Sequence, residues 1–297
     1  MSSIPIDAPP RTAILEPDTW RLIERAHAER ADAFTAGHRE RRGTGRTHPI
    51  EDFLFTYYPF KPSRLRVWHP GAGVVLAGAD RADVRHYVQT RDGATLDAAA
   101  FLAANTVNVG FVEGLLRGTA SRPARFSCFG MHEWAMVYRL DPAELRHTGL
   151  PLRLGRDETD AVVEAHDIAC THIDAYRFFT PAAVPRNRFA PTRETQPDLE
   201  QGGCLHAGMD LYKWAAKLGP AVEGELLLDA FELARDIRVL DMRASPYDVS
   251  AYRHTPVAVE TPEGKREYAT AQRGFAARGA ELRNRLLTSI TKLRAAA

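Results

Sequence analysis

The sequence predicts an α+β fold: a single domain in which a mixed or antiparallel sheet packs against C-terminal helices. Three observations predict it. The segment Glu164–Tyr176, entered through Val162 and Val163, alternates at period two like a central strand. Two short strand-like runs, Val74–Leu76 and His86–Gln89, lie earlier, the second closed by the turn signal Asp92-Gly93. Beyond residue 204, three long stretches repeat apolar residues at helical spacing. No internal repeat and no Gly/Ser linker divides the chain. Residues 17–297 are therefore expected to form one domain behind a flexible arm, 1–16, marked by a Pro-Pro pair.

Composition bounds the function classes. With 297 residues the chain can bury a sizeable core. Lys and Arg number 39 against 38 Asp and Glu, so a net charge of +1 gives no global pull toward nucleic acid or an anionic membrane. The sequence offers no apolar run near the ~20 residues that span a bilayer and no signal-peptide core at Met1–Arg11. The expectation is a cytoplasmic protein without a membrane partner. Three cysteines and no CxxC pair argue against a disulfide scaffold and a four-cysteine zinc site.

In chain order, Pro17 suits a helix first turn, and Trp20, Ile23, Ala31 and Phe34 follow as an apolar stripe. His27 falls in that stripe as a packing histidine. The run His38–Arg46, broken by Gly43 and Gly45, ends the helix. Its Arg39, Arg41, Arg42 and Arg46 are solvated by default and are also candidate phosphate contacts. Residues 48–70 interleave Phe53, Phe55, Tyr57, Tyr58, Phe60 and Trp68 with Lys61, Arg64 and Arg66. Such a run packs a loop onto a core or stacks bases. Asp97–Leu116 reads as a helix stopped by Gly118. Leu152–Leu154 adds strand, and Phe178–Arg193, proline-broken and basic, reads as a surface loop. Helices are expected at about 205–218, 225–242 and 268–293. On the first, His206, Asp210, Lys213 and Lys217 share one stripe.

Candidate chemistry concentrates between residues 128 and 241. If 164–176 is extended, Glu164, His166, Ile168, Cys170, His172, Asp174 and Tyr176 share one face. Neighbours on that face are ~6–7 Å apart. His and Cys are also ordinary core residues. The chain has no P-loop, no GxGxxG after a strand and no GxSxG elbow. His132-Glu133 begins like a zinc HExxH helix, but position 136 is Met. Two chemistries fit what remains. One is metal binding by His166, His172, Asp174 and His206, with Asp210, His132 or Glu133 completing the shell. It would give a zinc or non-haem iron hydrolase or oxygenase acting on a small molecule. The other is metal-free hydrolysis with a carboxylate activating water. A third reading is a non-catalytic binding module whose polar groups satisfy one another.

Four islands carry a resemblance: Cys128–Tyr138, His172–Pro181, Cys204–Trp214 and Asp241–Asp248. They are similar to an actinobacterial family commonly named 3-methyladenine DNA glycosylase, over nearly the whole chain from residue 17. The resemblance implies an N-glycosylase that hydrolyses the base–sugar bond of alkylated purines in DNA, without a cofactor. Such an enzyme flips a base and stacks it on aromatics. On this reading Asp174, Asp210 or Glu133, beside His172 and His206, serve catalysis. Tyr57, Tyr58, Trp68, Tyr176, Arg177 and Lys213 then hold the substrate, and Arg186 and Arg188 are further phosphate contacts.

Overall fold

The computed structural model of the chain describes residues 13–141 and 149–297. Strand β1 (Ala13–Leu15) pairs in parallel with β2 (Val74–Ala77), Ala13 opposite Val74. The end of the expected arm is therefore a strand, because Ile14 and Leu15 find the free edge of β2. Residues 1–12 of that expectation lie outside the described residues. Helix α1 (Pro17–Gly43) begins with its proline and ends on Arg41 and Arg42, cations that suit a helix C-terminus. His27 is a core histidine, its Nε2 2.7 Å from the Leu65 carbonyl. The aromatic, proline-rich run forms two short helices, α2 (Phe53–Tyr57) and α3 (Pro62–Leu65).

Strands β3 (Tyr87–Thr90) and β4 (Gly93–Leu96) form a hairpin, and β4 also pairs antiparallel with β2. The sheet is mixed, in the order β1-β2-β4-β3. Gly93 has φ 141°, and a Cβ there would lie 2.0 Å from the Leu76 carbonyl oxygen, so only glycine lets β4 approach β2. Leu76, Tyr87 and Ala94 pack on Trp20 and Trp68. Trp68 then docks the sheet onto the helical core. Its Nε1 donates to Glu225 at 3.1 Å, and its ring lies so close to Gly224 that a Cβ would meet Cδ1 at 2.6 Å.

Helix α4 (Ala98–Ser121) is capped by Asp97, which accepts from the Ala100 amide. Asn105 leaves helical φ/ψ and bonds the Phe101 carbonyl, which kinks it. Contrary to the expectation from sequence, α4 is long and apolar enough to cross a bilayer by length and composition. Here its Phe101, Val109, Val112, Leu115 and Leu116 lie in the core, while Val107 and Phe111 face outward. The core is built chiefly from α9 (Leu205–Leu218), α10 (Gly224–Arg243) and α11 (Pro262–Ala295). One contiguous cluster runs from Ala31 to Leu293.

The expected central strand at 164–176 is not there. Helix α6 (Arg156–Glu164) claims Val162 and Val163, because Gly155 and Glu158 cap its start. After α6 the chain turns irregularly and enters the short helix α7 (Ile173–Tyr176). Between them only Ile168 bridges, to Asn187. The Asn187 side chain replaces a partner strand, accepting from the Cys170 amide at 2.7 Å and donating to its carbonyl at 3.0 Å. Leu152–Leu154 likewise yields one bridge, Leu152 to Tyr247. The expected surface loop Phe178–Arg193 buries Phe179, Thr180 and Ala183. The remaining α-helices among the described residues are α5 (Met131–Ala135) and α8 (Gln196–Leu199).

Candidate functional site

The centre of the site is Asp210 on α9. At helical spacing His206, Asp210, Lys213 and Lys217 share one stripe, and the stripe faces α7. Asp210 is 1% exposed. Its Oδ1 accepts from the Tyr58 hydroxyl at 2.8 Å. Its Oδ2 lies 3.2 Å from His172 Nε2 and accepts from Lys213. Lys213 reaches on to Asp174 Oδ2 at 3.3 Å. Asp174, in the only turn of α7, also accepts a two-pronged contact from Arg193. Arg177 stands 3.4 Å away. Gln196 joins Arg193 to buried Glu200, which lies 3.7 Å from His172.

This network floors a cleft of about 400 Å³. Tyr57, Phe111 and Trp214 supply aromatic wall, and Arg177, Arg193, Lys213 and Lys217 surround the single lining carboxylate, Asp174. The Trp214 indole N–H is buried without a partner. A neighbouring cavity of about 360 Å³ shares Phe60 and Lys217 with the cleft. Its lining adds Arg64 and Arg85, with His69 and His86, but no carboxylate.

Charge in the cleft is fixed by pairing. Burial is the largest influence on Asp174 and pushes its carboxyl up. The Arg193 hydrogen bond and the Lys213 charge together outweigh it, so the group is held below the usual range. Asp210 is held down in the same way, burial being overcome by Lys213 and His172. Lys213 is raised: burial would lower it, but Asp210 and Asp174 prevail. Burial pushes the Tyr57 hydroxyl up, and the Asp174 charge adds to it. Burial raises Glu200 as well.

Beneath the cleft lies a second constellation. The His206 ring sits 5.4 Å from that of His172 and 4.4 Å from that of His132. His132 Nε2 is 2.9 Å from Asp241 Oδ1. Arg238 donates to Asp241 at 2.9 Å and to Glu133 at 3.1 Å. Burial lowers His206 to about 3, with the His132 charge acting the same way. A small cavity here is lined by Cys128, Cys170, Cys204, His132, His206, Tyr268 and Gln272. Burial pushes the Cys170 thiol up to about 12.

The fold thus brings Asp174, Asp210, His172, Tyr57, Tyr58, Arg177 and Lys213 together, from three separate stretches of chain. It does not bring in the others. His206 and Glu133 belong to the lower layer and do not line the cleft. Trp68 is spent on Glu225 and the sheet, and Tyr176 packs on Phe179 at 5.1 Å. The expected metal set His166, His172, Asp174 and His206 is not assembled. His166 points Nδ1 at the Val162 carbonyl, 2.6 Å away, since it follows the end of α6 rather than sitting on a strand. Most candidate phosphate contacts are engaged elsewhere: Arg39 by Asp32, Arg41 by Asp52, Arg46 by Glu40, Arg186 by Glu164 and Arg188 by Asp167, while Arg42 lines a separate pocket with His48 and Phe53. The cleft cations Arg193 and Lys217, with Trp214, Phe111, Gln196 and Glu200, escaped sequence reasoning as site residues. The α9 stripe pointed to Lys217. No local signal pairs Arg193 with Asp174.

No protein-family model, no curated protein and no solved structure matches this chain.

Proposed function

We propose that the chain is an N-glycosyl hydrolase that removes alkylated purines from DNA. The observation that carries the reading is the cleft itself: aromatic wall, four cations and one ionised carboxylate within about 400 Å³. That volume suits one nucleobase. Tyr57 and Phe111 take its faces. Arg177 and Arg193, both with exposed side chains, receive the flanking phosphates.

The cations also set the timing. While Arg193 holds Asp174 the carboxylate is a weak base. A phosphate arriving at the rim draws Arg193 and Arg177 outward, and Asp174 turns to a water. The bond from water oxygen to the sugar C1′ forms as the C1′–N bond breaks. The bonding pair returns to the cationic alkylated base, which leaves neutral, and the water proton passes to Asp174. Asp210 is too deeply buried to touch substrate. With His172 and Tyr58 it positions Lys213 against Asp174.

The test is excision from methylated duplex DNA without added cofactor, read as abasic sites. Product formation by the wild type and its loss in Asp174→Asn support the reading. Salt-dependent DNA binding with no abasic product over a buffer control would instead favour a binding module, and neither binding nor product would reject both.

A further inference from the structure

His132, His206 and Asp241 form a constellation that the cleft chemistry does not use. They come from α5, α9 and α10, elements the chain brings together only on folding. Each offers one ligand atom, and these atoms lie within 4.8 Å of one another. We propose that the three side chains hold one divalent transition-metal ion, zinc or ferrous iron, as a two-histidine, one-carboxylate site beneath the cleft.

Three observations carry this independently of the glycosylase reading. The first is imperfect pairing. His132 Nε2 and Asp241 Oδ1 form an ion pair at 2.9 Å but are poorly aligned for a hydrogen bond. His132 is 3% exposed and Asp241 not at all. Buried polar atoms are rarely left so poorly aligned. The second is charge. Two buried carboxylates, Glu133 and Asp241, share the single guanidinium of Arg238. Arg238 takes Asp241 Oδ2 and leaves Oδ1 turned to the histidines. A divalent cation seated there adds positive charge where two buried carboxylates have only Arg238 and His132 beside them.

The third is geometry. Two ligands on a tetrahedral ion stand about 3.3 Å apart when each bond is ~2.0–2.1 Å. The ligand atoms span at most 4.8 Å, so the widest pair closes by no more than about 1.5 Å onto such an ion. His132 and His206 also border the cavity lined by the three thiols, about 20 Å³ in volume. That is room for one water. Three protein ligands with one solvent position is the pattern of catalytic zinc sites, and two histidines with one carboxylate is also the ligand set of non-haem iron. Glu133, which shares Arg238 with Asp241, is then an outer partner that steadies it.

The experiment uses the full chain, free of any affinity tag. Metal content is measured after purification without added metal. Chelator-treated protein is then titrated anaerobically with Fe²⁺, Zn²⁺ and Co²⁺. The expected results are one ion per chain, visible Co²⁺ d–d bands displaced by Zn²⁺, and a melting temperature that rises with metal. Zinc against iron in the purified protein identifies the resident ion. His206→Gln and Asp241→Asn should each weaken binding by more than the ~10–100-fold typical of losing an outer partner. His206 joins no salt bridge among the described residues, so His206→Gln remains informative if Asp241→Asn does not fold. Metal below one-tenth of an equivalent, with Co²⁺ bound no tighter by the wild type than by a folded variant, would overturn the proposal.

Discussion

Replacing Asp210 by Asn tests whether this buried carboxylate organises the cleft. Asp210 accepts from the Tyr58 hydroxyl at 2.8 Å, pairs with His172 at 3.2 Å and receives Lys213. Asparagine is isosteric and keeps one acceptor for Tyr58. Its amide then meets Lys213 and His172 with no charge to offer. Two charge-assisted contacts are lost, each ~1.5–3 kcal/mol. Lys213 keeps Asp174 at 3.3 Å, so the loss should sit near ~3 kcal/mol, the low end for breaking a buried pair. In urea, with a slope of ~3 kcal/mol per M, the midpoint should fall by about 1 M at unchanged slope. The pH dependence has a definite sign. Asp210 is depressed in the folded state, so its contribution is present above the unfolded value of ~3.9 and fades as pH falls further toward the folded one. The deficit of the variant should stay constant from about pH 5.5 to 8 and narrow below about pH 4. Lys213 is raised in the folded state, so its contribution holds up to the unfolded value of ~10.4. A deficit under ~1 kcal/mol at pH 7, or one that does not narrow in acid, would refute the assignment of Asp210 as the hub.

Asp174→Asn should cut excision by ~10²–10⁴-fold, scored as abasic sites per enzyme at saturating methylated duplex. Arg193→Gln removes the strongest brake on the Asp174 carboxyl, which is held low. The acid limb of the kcat/KM profile, which reports the free enzyme, should therefore move to higher pH, and an unmoved limb would mean Asp174 is not the titrating base. Lys217→Glu should weaken DNA binding and lower the magnitude of the log–log salt slope by about 1 or more; an unchanged slope would take Lys217 off the phosphate path. Gly224→Ala places a Cβ 2.6 Å from Trp68 and 2.9 Å from His27. It should cost ~1–3 kcal/mol by overpacking, and thermal melting at wild-type temperature would show that the sheet is not docked there.

By itself the sequence determined the elements whose signal is local. The helix expected at 205–218 is Leu205–Leu218, and those expected at 225–242 and 268–293 are Gly224–Arg243 and Pro262–Ala295. A period near 3.6 records which face each helix buries, and that face needs no knowledge of its partner. The α9 stripe was legible for the same reason, and so was the β3–β4 hairpin through Asp92-Gly93. Glu164–Tyr176 misled because β-branched residues describe a half-buried pleated surface, and a strand also requires an edge to pair with. Capping at Gly155 drew Val162 and Val163 into a helix instead, and the Asn187 side chain satisfied what followed. The meetings of polar groups were decided by tertiary structure alone. Tyr58 lies 152 positions from Asp210, and Glu133 lies 105 from Arg238. Asp174 finds Arg193 through a loop with no period to read. Such pairs form because a buried charge must be matched wherever packing leaves it, and packing depends on the path of the whole chain.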